Sequence, residues 1–395
     1  NNDENFIAKR VKEVRSNRKM TPFLSQLVDE FVREFIPDSL RQTFYPVEET
    51  DVYQRQAKPS QRRILDASQH ESRTDVTVQF AKKEAYPRVN DVRGISQING
   101  VDKREYSAFI YALAEHIKTQ DWYAFGKSPI EIARRVALIC ENSEWVDNMD
   151  FSRMDGRVSE AVRELERRVM MRAFAPIYHV PLYQLMRNQF GLRAKTTHGV
   201  SHTTMFERLS GSAETSAFNT LLTAFVNFAA YRMTRDVCGG RPSPAEAYAR
   251  LGIYGGDDGL SGGLSRDAAT RASALVGQVL DLERVHRNDG LGVKFLARHY
   301  GPDVWFGCPD SICDIRRQLS KFHLTVHLPS NISWHRKLQE KAFAYSLSDR
   351  NTPVIGEFVR KVLQLYPLTR EQFTNVIGLW IPELDEGKQY PNGDA

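Results

Sequence analysis

The segment Gly256-Asp257-Asp258-Gly259 constrains this chain more than any other. Leu251 to Tyr254 runs ahead of it and Leu260 to Leu264 behind it. Both stretches read as strands, so the two acids fall in a tight turn between them. Carboxylates in that position cannot pair with each other. Their repulsion persists only where a cation lies between them and a partner, or where water screens them. Three such residues make a short pattern, and their meaning depends on whether the rest of a catalytic site stands upstream.

A chain of 395 residues exceeds the roughly 250–300 at which single cores stop growing, so subdomains around a shared cleft are expected. With 41% hydrophobic and 26% charged residues, the composition is that of an ordinary globular protein rather than a disordered one. The net charge of +5 suits a nucleic-acid channel and equally suits an ordinary basic enzyme. Cys140, Cys238, Cys308 and Cys313 lack CxxC spacing, which argues against a zinc module and a disulfide framework and suits a reducing cytosol. His323 and His327 lie four apart, but no Glu follows His323, so the metalloprotease helix pattern fails. The absence of a Walker-type phosphate loop removes P-loop ATPases. The longest apolar run, Leu221 to Tyr231, falls well short of the ~20 residues of a membrane span. No signal peptide is seen, and a chain beginning Asn1-Asn2-Asp3 rather than with Met reads as an excerpt or processing product, so that any membrane anchor would lie outside it.

Periodicity predicts a solvated basic helix from Ala8 to Lys19, then loops and strands from Pro46 to Arg104. Helices follow at Glu105 to Ile117 and Pro129 to Cys140, the latter with Ser128 as N-cap before a proline at the first position. Val158, Val162, Leu165 and Val169 mark an amphipathic helix starting near Gly156. Further helices are expected from Thr215 to about Val237, after Ser265, and beyond Asp314 with breaks at Pro353 and Pro367. Val293 to Tyr300 reads as one strand. Short strands interleaved with long helices indicate an α+β layout.

Upstream of the acidic turn stands Asp150-Phe-Ser-Arg-Met-Asp155. Two Mg²⁺ ions about 3.5–4 Å apart need anionic oxygens from separate backbone segments. Asp150 and Asp257, with Asp258 beside them, can supply these. Between the acidic segments, Ser210-Gly211-Ser-Ala-Glu-Thr215-Ser-Ala-Phe-Asn219-Thr220 joins a glycine loop to a helix start. Thr215 and Asn219 share one helix face. A hydroxyl and an amide there can read a ribose 2′-OH, which both donates and accepts. Asp155 would accept from the same sugar. Farther upstream, Lys82, Lys83, Arg88 and Arg93 alternate with turn residues, and such cations suit triphosphate binding.

In this order the segments resemble the RNA-dependent RNA polymerases of positive-strand RNA viruses, in detail those of nodaviruses. Residues 150–159, 210–220 and 256–261 look like motifs A, B and C, and Lys82 to Arg93 looks like motif F. Weaker matches are Lys58-Pro59-Ser60-Gln61 to a template-channel loop, Phe295-Leu-Ala-Arg298 to the strand of motif E, and Leu319 to Thr325 to the opening of the thumb. The resemblance implies a right-hand architecture with an antiparallel palm sheet flanked by helices. Its segments would be fingers with fingertips at 1–145, palm at 146–175, a fingers insertion at 176–209, palm at 210–310 and thumb at 311–395. It implies two Mg²⁺ ions, with Mn²⁺ able to substitute, on Asp150, Asp257 and Asp258. Ser210, Gly211, Thr215, Asn219 and Asp155 would select the ribose, and Lys82, Lys83, Arg88 and Arg93 would line the NTP phosphates. The motif D region offers Arg284, His286 and Arg287 where related polymerases often use a lysine, and His286 is the candidate general acid. Implied partners are template RNA, nascent RNA, NTPs and further regions of a larger replicase, on membrane-bound complexes in the host cytoplasm.

Two other readings stand beside RNA-templated RNA synthesis. A reverse transcriptase also uses an Asp pair, but a DNA-making site has reason to exclude the 2′-OH. A non-catalytic RNA-binding module could keep the fold, though intact carboxylates at all three metal positions argue against it.

Overall fold

The computed structural model describes residues 2–84, 90–235, 239–325, 328, 330–367 and 386–393. They form two compact units, one of residues 1–82, 90–125 and 149–283, the other of 83–89, 126–148 and 284–395.

At the centre of the first unit lies the Thr215–Met233 helix. Every residue from Ala217 to Tyr231 is buried, and the polar Asn219, Thr220, Thr223 and Asn227 each find hydrogen-bond partners. Around it a single core gathers apolar faces of the Pro22–Phe35, Gly100–Ile117, Glu160–Ala173 and Arg266–Leu275 helices. Phe31 meets the rings of Phe225 and Phe228 at 5.6 and 5.4 Å. Side-chain oxygens of Thr21, Asn99, Ser159 and Ser265 cap the first turns of those four surrounding helices.

A mixed sheet joins β1 (Val76–Ala81), β2 (Gly94–Gln97), β4 (Arg193–Thr196) and β5 (Ser201–Thr203) in the order β2-β1-β4-β5. A second four-stranded sheet runs β6-β7-β3-β8, from β3 (Trp145–Phe151), β6 (Ile253–Gly255), β7 (Asp258–Gly262) and β8 (Leu280–His286). Residues 149–151 and 280–283 are the parts of β3 and β8 that belong to the first unit. In β3 the strand period of two turns Met149 and Phe151 into the core and leaves Asp150 exposed.

In the second unit the Pro129–Glu141 helix opens at Ser128, whose N–H and hydroxyl both donate to Glu131, 2.7 and 2.6 Å. An antiparallel sheet follows, ordered β11-β10-β9, from β9 (Lys294–Phe295), β10 (Arg298–Tyr300) and β11 (Ser311–Cys313). Helices Ile315–Phe322, Trp334–Ser348 and Ile355–Leu365 complete it. Buried Asp349 is its hub: both carboxylate oxygens accept from Arg298 at 2.9 and 2.8 Å, and one accepts from the Cys313 N–H.

Four expectations change. The N-terminal segment is an α turn, Asn2–Phe6, running into a π-helix, Ile7–Lys12, and Ile7, Val11 and Val14 are buried rather than solvated. Among the described residues, Pro46 to Arg104 holds the helices Glu49–Arg55 and Pro59–Ser68, whose few apolar residues hid the period, and the first turn of Gly100–Ile117. The helix after Gly156 begins only at Glu160, because Met154–Arg157 forms a 3₁₀ turn. Val293 to Tyr300 is a hairpin, its two-residue loop of Leu296 and Ala297 lying at φ 46° and 60°. No Gly, Asn or Asp announced that turn. Val237, Cys238, His327 and Arg88 lie outside the described residues.

Candidate active site

The acidic turn is the tip of the β6–β7 hairpin, in register Gly255 opposite Asp258. Only Gly256 and Asp257 form the loop, and Gly256 takes φ +69°, a conformation open to glycine at little cost. The central helix grips that glycine from both sides. Gly256 N–H donates to the Thr220 hydroxyl at 2.8 Å, and the Thr223 hydroxyl donates to Gly256 C=O at 2.7 Å. Asp257 is thereby held exposed at the tip, with Asp258 on the first position of β7.

Strand β3 lies between β7 and β8, which brings Asp150 into the field of Asp257. Lost hydration first, then the charges of Asp257 and Asp281, push the Asp150 carboxyl above its ordinary value. Asp281, on β8, was missed in the sequence because nothing in Leu280-Asp-Leu-Glu283 says that this strand flanks β3. Among the described residues no three His, Cys, Asp or Glu side chains close into a ready metal cluster. The donors nevertheless fit a hard divalent cation: exposed carboxylate oxygens from separate strands, mutually repelling, with room for water and phosphate oxygens as further ligands.

Asp155 follows in the 3₁₀ turn Met154–Arg157. Its Oδ1 accepts from Asn219 Nδ2 at 2.7 Å. Burial pushes its carboxyl up, opposed by the Asn219 hydrogen bond and the charges of Arg208 and Arg93. Arg93 thus acts on this site electrostatically. Its backbone C=O accepts from Lys82 N–H at 2.8 Å, pinning the base of the cationic segment. Lys83 belongs to the second unit.

Thr215 and Asn219 do share a helix face, but the Thr215 hydroxyl serves the loop, directed at the carbonyls of Leu209 and Ser212, 3.2 and 3.1 Å. Ser210 and Gly211 are zipped onto β2: Ser96 N–H donates to the Ser210 hydroxyl at 3.2 Å and Gly211 N–H to Ser96 C=O at 2.9 Å. A Cβ on Gly211 would stand 2.3 Å from that carbonyl oxygen, so the close approach demands glycine. Its pairing with a strand far away in sequence is what fixes this glycine loop.

Lys58-Pro59-Ser60 opens the Pro59–Ser68 helix instead of forming a free loop. In the second unit, His286 ends β8, its N–H donating to Asp289 at 2.8 Å and its ring 6.1 Å from that of Trp145. Arg284 forks onto buried Asp147 at 3.0 and 2.8 Å, and Arg287 donates to the carbonyls of Cys140, Glu141 and Ser143. Both arginines are committed to structure.

A buried ionic quartet stands behind Asn219 and was also missed. Arg163 donates to Glu166 at 3.1 Å and to Glu214 at 2.5 Å, while Arg208 donates to Glu214 at 2.7 Å and to Glu166. The Tyr106 hydroxyl donates to Glu214 at 2.9 Å.

No family model matches the chain. It is 31% identical to the RNA-directed RNA polymerase of Atlantic halibut nervous necrosis virus, over 97% of its own length and 38% of that protein. It is 29% identical to the RNA-directed RNA polymerase of Pieris rapae virus, over 96% of the chain and 37% of the relative. The chain therefore spans under two fifths of the curated relatives it matches. Among solved structures, the RNA-dependent RNA polymerase of a human picorbirnavirus superimposes with a TM-score of 0.67 at 11% identity, covering 95% of this chain and 75% of that one. Its insertion-loop deletion mutant gives 0.69 at 12% identity, covering 95% and 77%. Along almost its whole length, then, the chain is similar in sequence to nodavirus RNA-directed RNA polymerases, and its fold is that of the viral RNA-dependent RNA polymerases.

Proposed function

We propose that this chain is the polymerase portion of a larger viral replicase, synthesising RNA on an RNA template from ribonucleoside triphosphates. The observation that carries this reading is the pairing of Asp155 with Asn219 at 2.7 Å beside the Asp150–Asp257 carboxylates. It supports reading Asp155 and Asn219 as a ribose pair next to a candidate cation site. Mg²⁺, or Mn²⁺ in its stead, held by Asp150 and Asp257 with Asp258 assisting, would supply the charge that activates a 3′-hydroxyl and stabilises departing pyrophosphate. Asp155 accepts from the incoming 2′-OH, and the second Asn219 N–H donates to it. In the step, the 3′-oxygen bonds to the α-phosphorus while the bond to the bridging oxygen of pyrophosphate breaks. The chain's own groups contribute position and charge.

Ser210, Gly211 and Thr215 set the loop that presents Asn219. Lys82, Lys83, Arg88 and Arg93 line the phosphates, with Lys58, Pro59 and Ser60 beside the template and His286 as candidate general acid. The five-segment division into fingers, palm and thumb belongs to the same proposal. So does residence on membrane-bound complexes in the host cytoplasm, through regions outside this chain. No helix among the described residues is long and apolar enough to cross a membrane.

The test is extension on a defined RNA template with Mg²⁺ or Mn²⁺, comparing NTPs with dNTPs. RNA products from NTPs support the reading. Preference for dNTPs favours a reverse transcriptase, and RNA binding without any product favours a non-catalytic module.

A further inference from the structure

We propose that Arg208 is a positioning residue for ribose selection, fixing which end of the Asn219 amide faces Asp155. This rests on the reading of Asn219 as a ribose selector and extends it to a residue outside the site.

The two ends of an asparagine amide are nearly identical in shape and opposite in hydrogen-bonding sense. Left to itself, Asn219 could present either its oxygen or its NH₂ group to Asp155. Only the NH₂ leaves the carboxylate with a donor and keeps a second N–H for a sugar hydroxyl. The oxygen would face Asp155 with repulsion. Arg208 decides between them. Its guanidinium has five N–H donors and no acceptor, so whichever end of the amide meets it must be the oxygen. Arg208 Nε donates to Asn219 Oδ1 at 3.0 Å, and Asn219 Nδ2 then donates to Asp155 at 2.7 Å.

Arg208 is itself immobile. Its side chain is fully buried, with Nη1 on Glu214 at 2.7 Å, Nη2 on Glu166, and its plane near the Phe218 ring, 5.6 Å. Its backbone N–H donates to the Asp155 C=O at 2.9 Å. One residue therefore touches both members of the ribose pair, by side chain and by main chain. Arg163 neutralises the same two glutamates without touching Asn219 among its hydrogen bonds, which go to Glu166, Glu214, Phe206 C=O and Glu207 C=O. The quartet thus contains an internal control: two arginines, equal in charge, of which one orients the amide.

The experiment compares Arg208→Lys with Arg163→Lys, each keeping the buried charge balance. The readout is the ratio of kcat/KM for an NTP and its 2′-deoxy counterpart during primed extension. A lysine between two glutamates cannot also fork to Asn219. The expected result is about a tenfold fall in ribose preference for Arg208→Lys, the size of one lost hydrogen bond to a charged group, and none beyond about twofold for Arg163→Lys. In an Asn219→Ala background, Arg208→Lys should change the ratio no further. Where lysine does not fold, Arg208→Gln with Glu166→Gln stands in, against Arg163→Gln with Glu166→Gln, with the same ratios expected. Equal ratios in the two arginine variants, or an undiminished effect without Asn219, would overturn the role of Arg208 alone. A wild-type chain that extends no RNA would overturn the polymerase reading beneath it.

Discussion

Asn219 and Asp155 are joined by a 2.7 Å hydrogen bond across segments that are 64 residues apart, one on the central helix and one in the turn after β3. The bond ties the central helix to the turn that follows the strand carrying Asp150. Asn219→Ala removes the only amide in that pair, and the 2′-OH loses a partner. Ribose preference should fall by about tenfold or more while RNA affinity holds. An unchanged NTP/dNTP ratio in single-nucleotide incorporation would remove Asn219 from selection.

Thr220 and Thr223 hold the two polar ends of Gly256 and so aim Asp257. Valine keeps the shape of threonine and deletes the hydroxyl. Thr223→Val and Thr220→Val should each lower kcat by about tenfold with little change in KM, as misplacement of a catalytic group predicts. A rise in KM alone would mean that the clamp serves nucleotide binding instead.

Burial alone would raise the Glu214 carboxyl, but Arg163 and Arg208 overcome it and hold it at about 2, below the ordinary 4.5. A group depressed on folding adds stability above its unfolded value and loses it as pH falls toward the folded one. Wild-type thermal midpoints should therefore drop between about pH 4.5 and pH 2. Glu214→Gln leaves buried arginine charge uncompensated, so it should be ~3–5 kcal/mol less stable at pH 7 and show a shallower loss in acid. Parallel curves for the two proteins would contradict the ion-pair account.

In the second unit, Leu296 and Ala297 occupy left-handed backbone that costs side chains roughly 1–2 kcal/mol each. Asn-Gly is the pair suited to such a two-residue hairpin loop. Replacing Leu296-Ala297 by Asn-Gly should stabilise this unit by about 1 kcal/mol or more, read from urea midpoints. A lower midpoint would show that the exchanged side chains contribute more by packing than their backbone costs.

The site was legible where it depends on local order. The acidic pair falls at a turn between two strands, whose tip is Gly256-Asp257, and Thr215 with Asn219 on one helix face. The fold class followed from strands interleaved with capped helices, and Ser128 and Ser265 mark two of their helix starts in the sequence. What stayed hidden depends on contacts between distant segments. Asp281 becomes a neighbour of Asp150 only through sheet order. The Ser210-Gly211 loop becomes rigid only by pairing with Ser96. Arg208, Arg163, Glu166 and Glu214 read as ordinary surface charges until the helices close over them. The Leu296-Ala297 turn escaped because it uses residues that such a turn disfavours.

The central claim is that Asp150 and Asp257 hold the charge that drives nucleotidyl transfer. Asp257→Asn keeps the size of the side chain and the hairpin while removing one negative charge. Single-turnover extension of a primed RNA template with Mg²⁺, run beside a filter-binding measurement of RNA affinity, tests it most directly. Synthesis should fall by about three orders of magnitude or more, with RNA affinity within about twofold of wild type. Near-normal extension by Asp257→Asn would contradict the assignment.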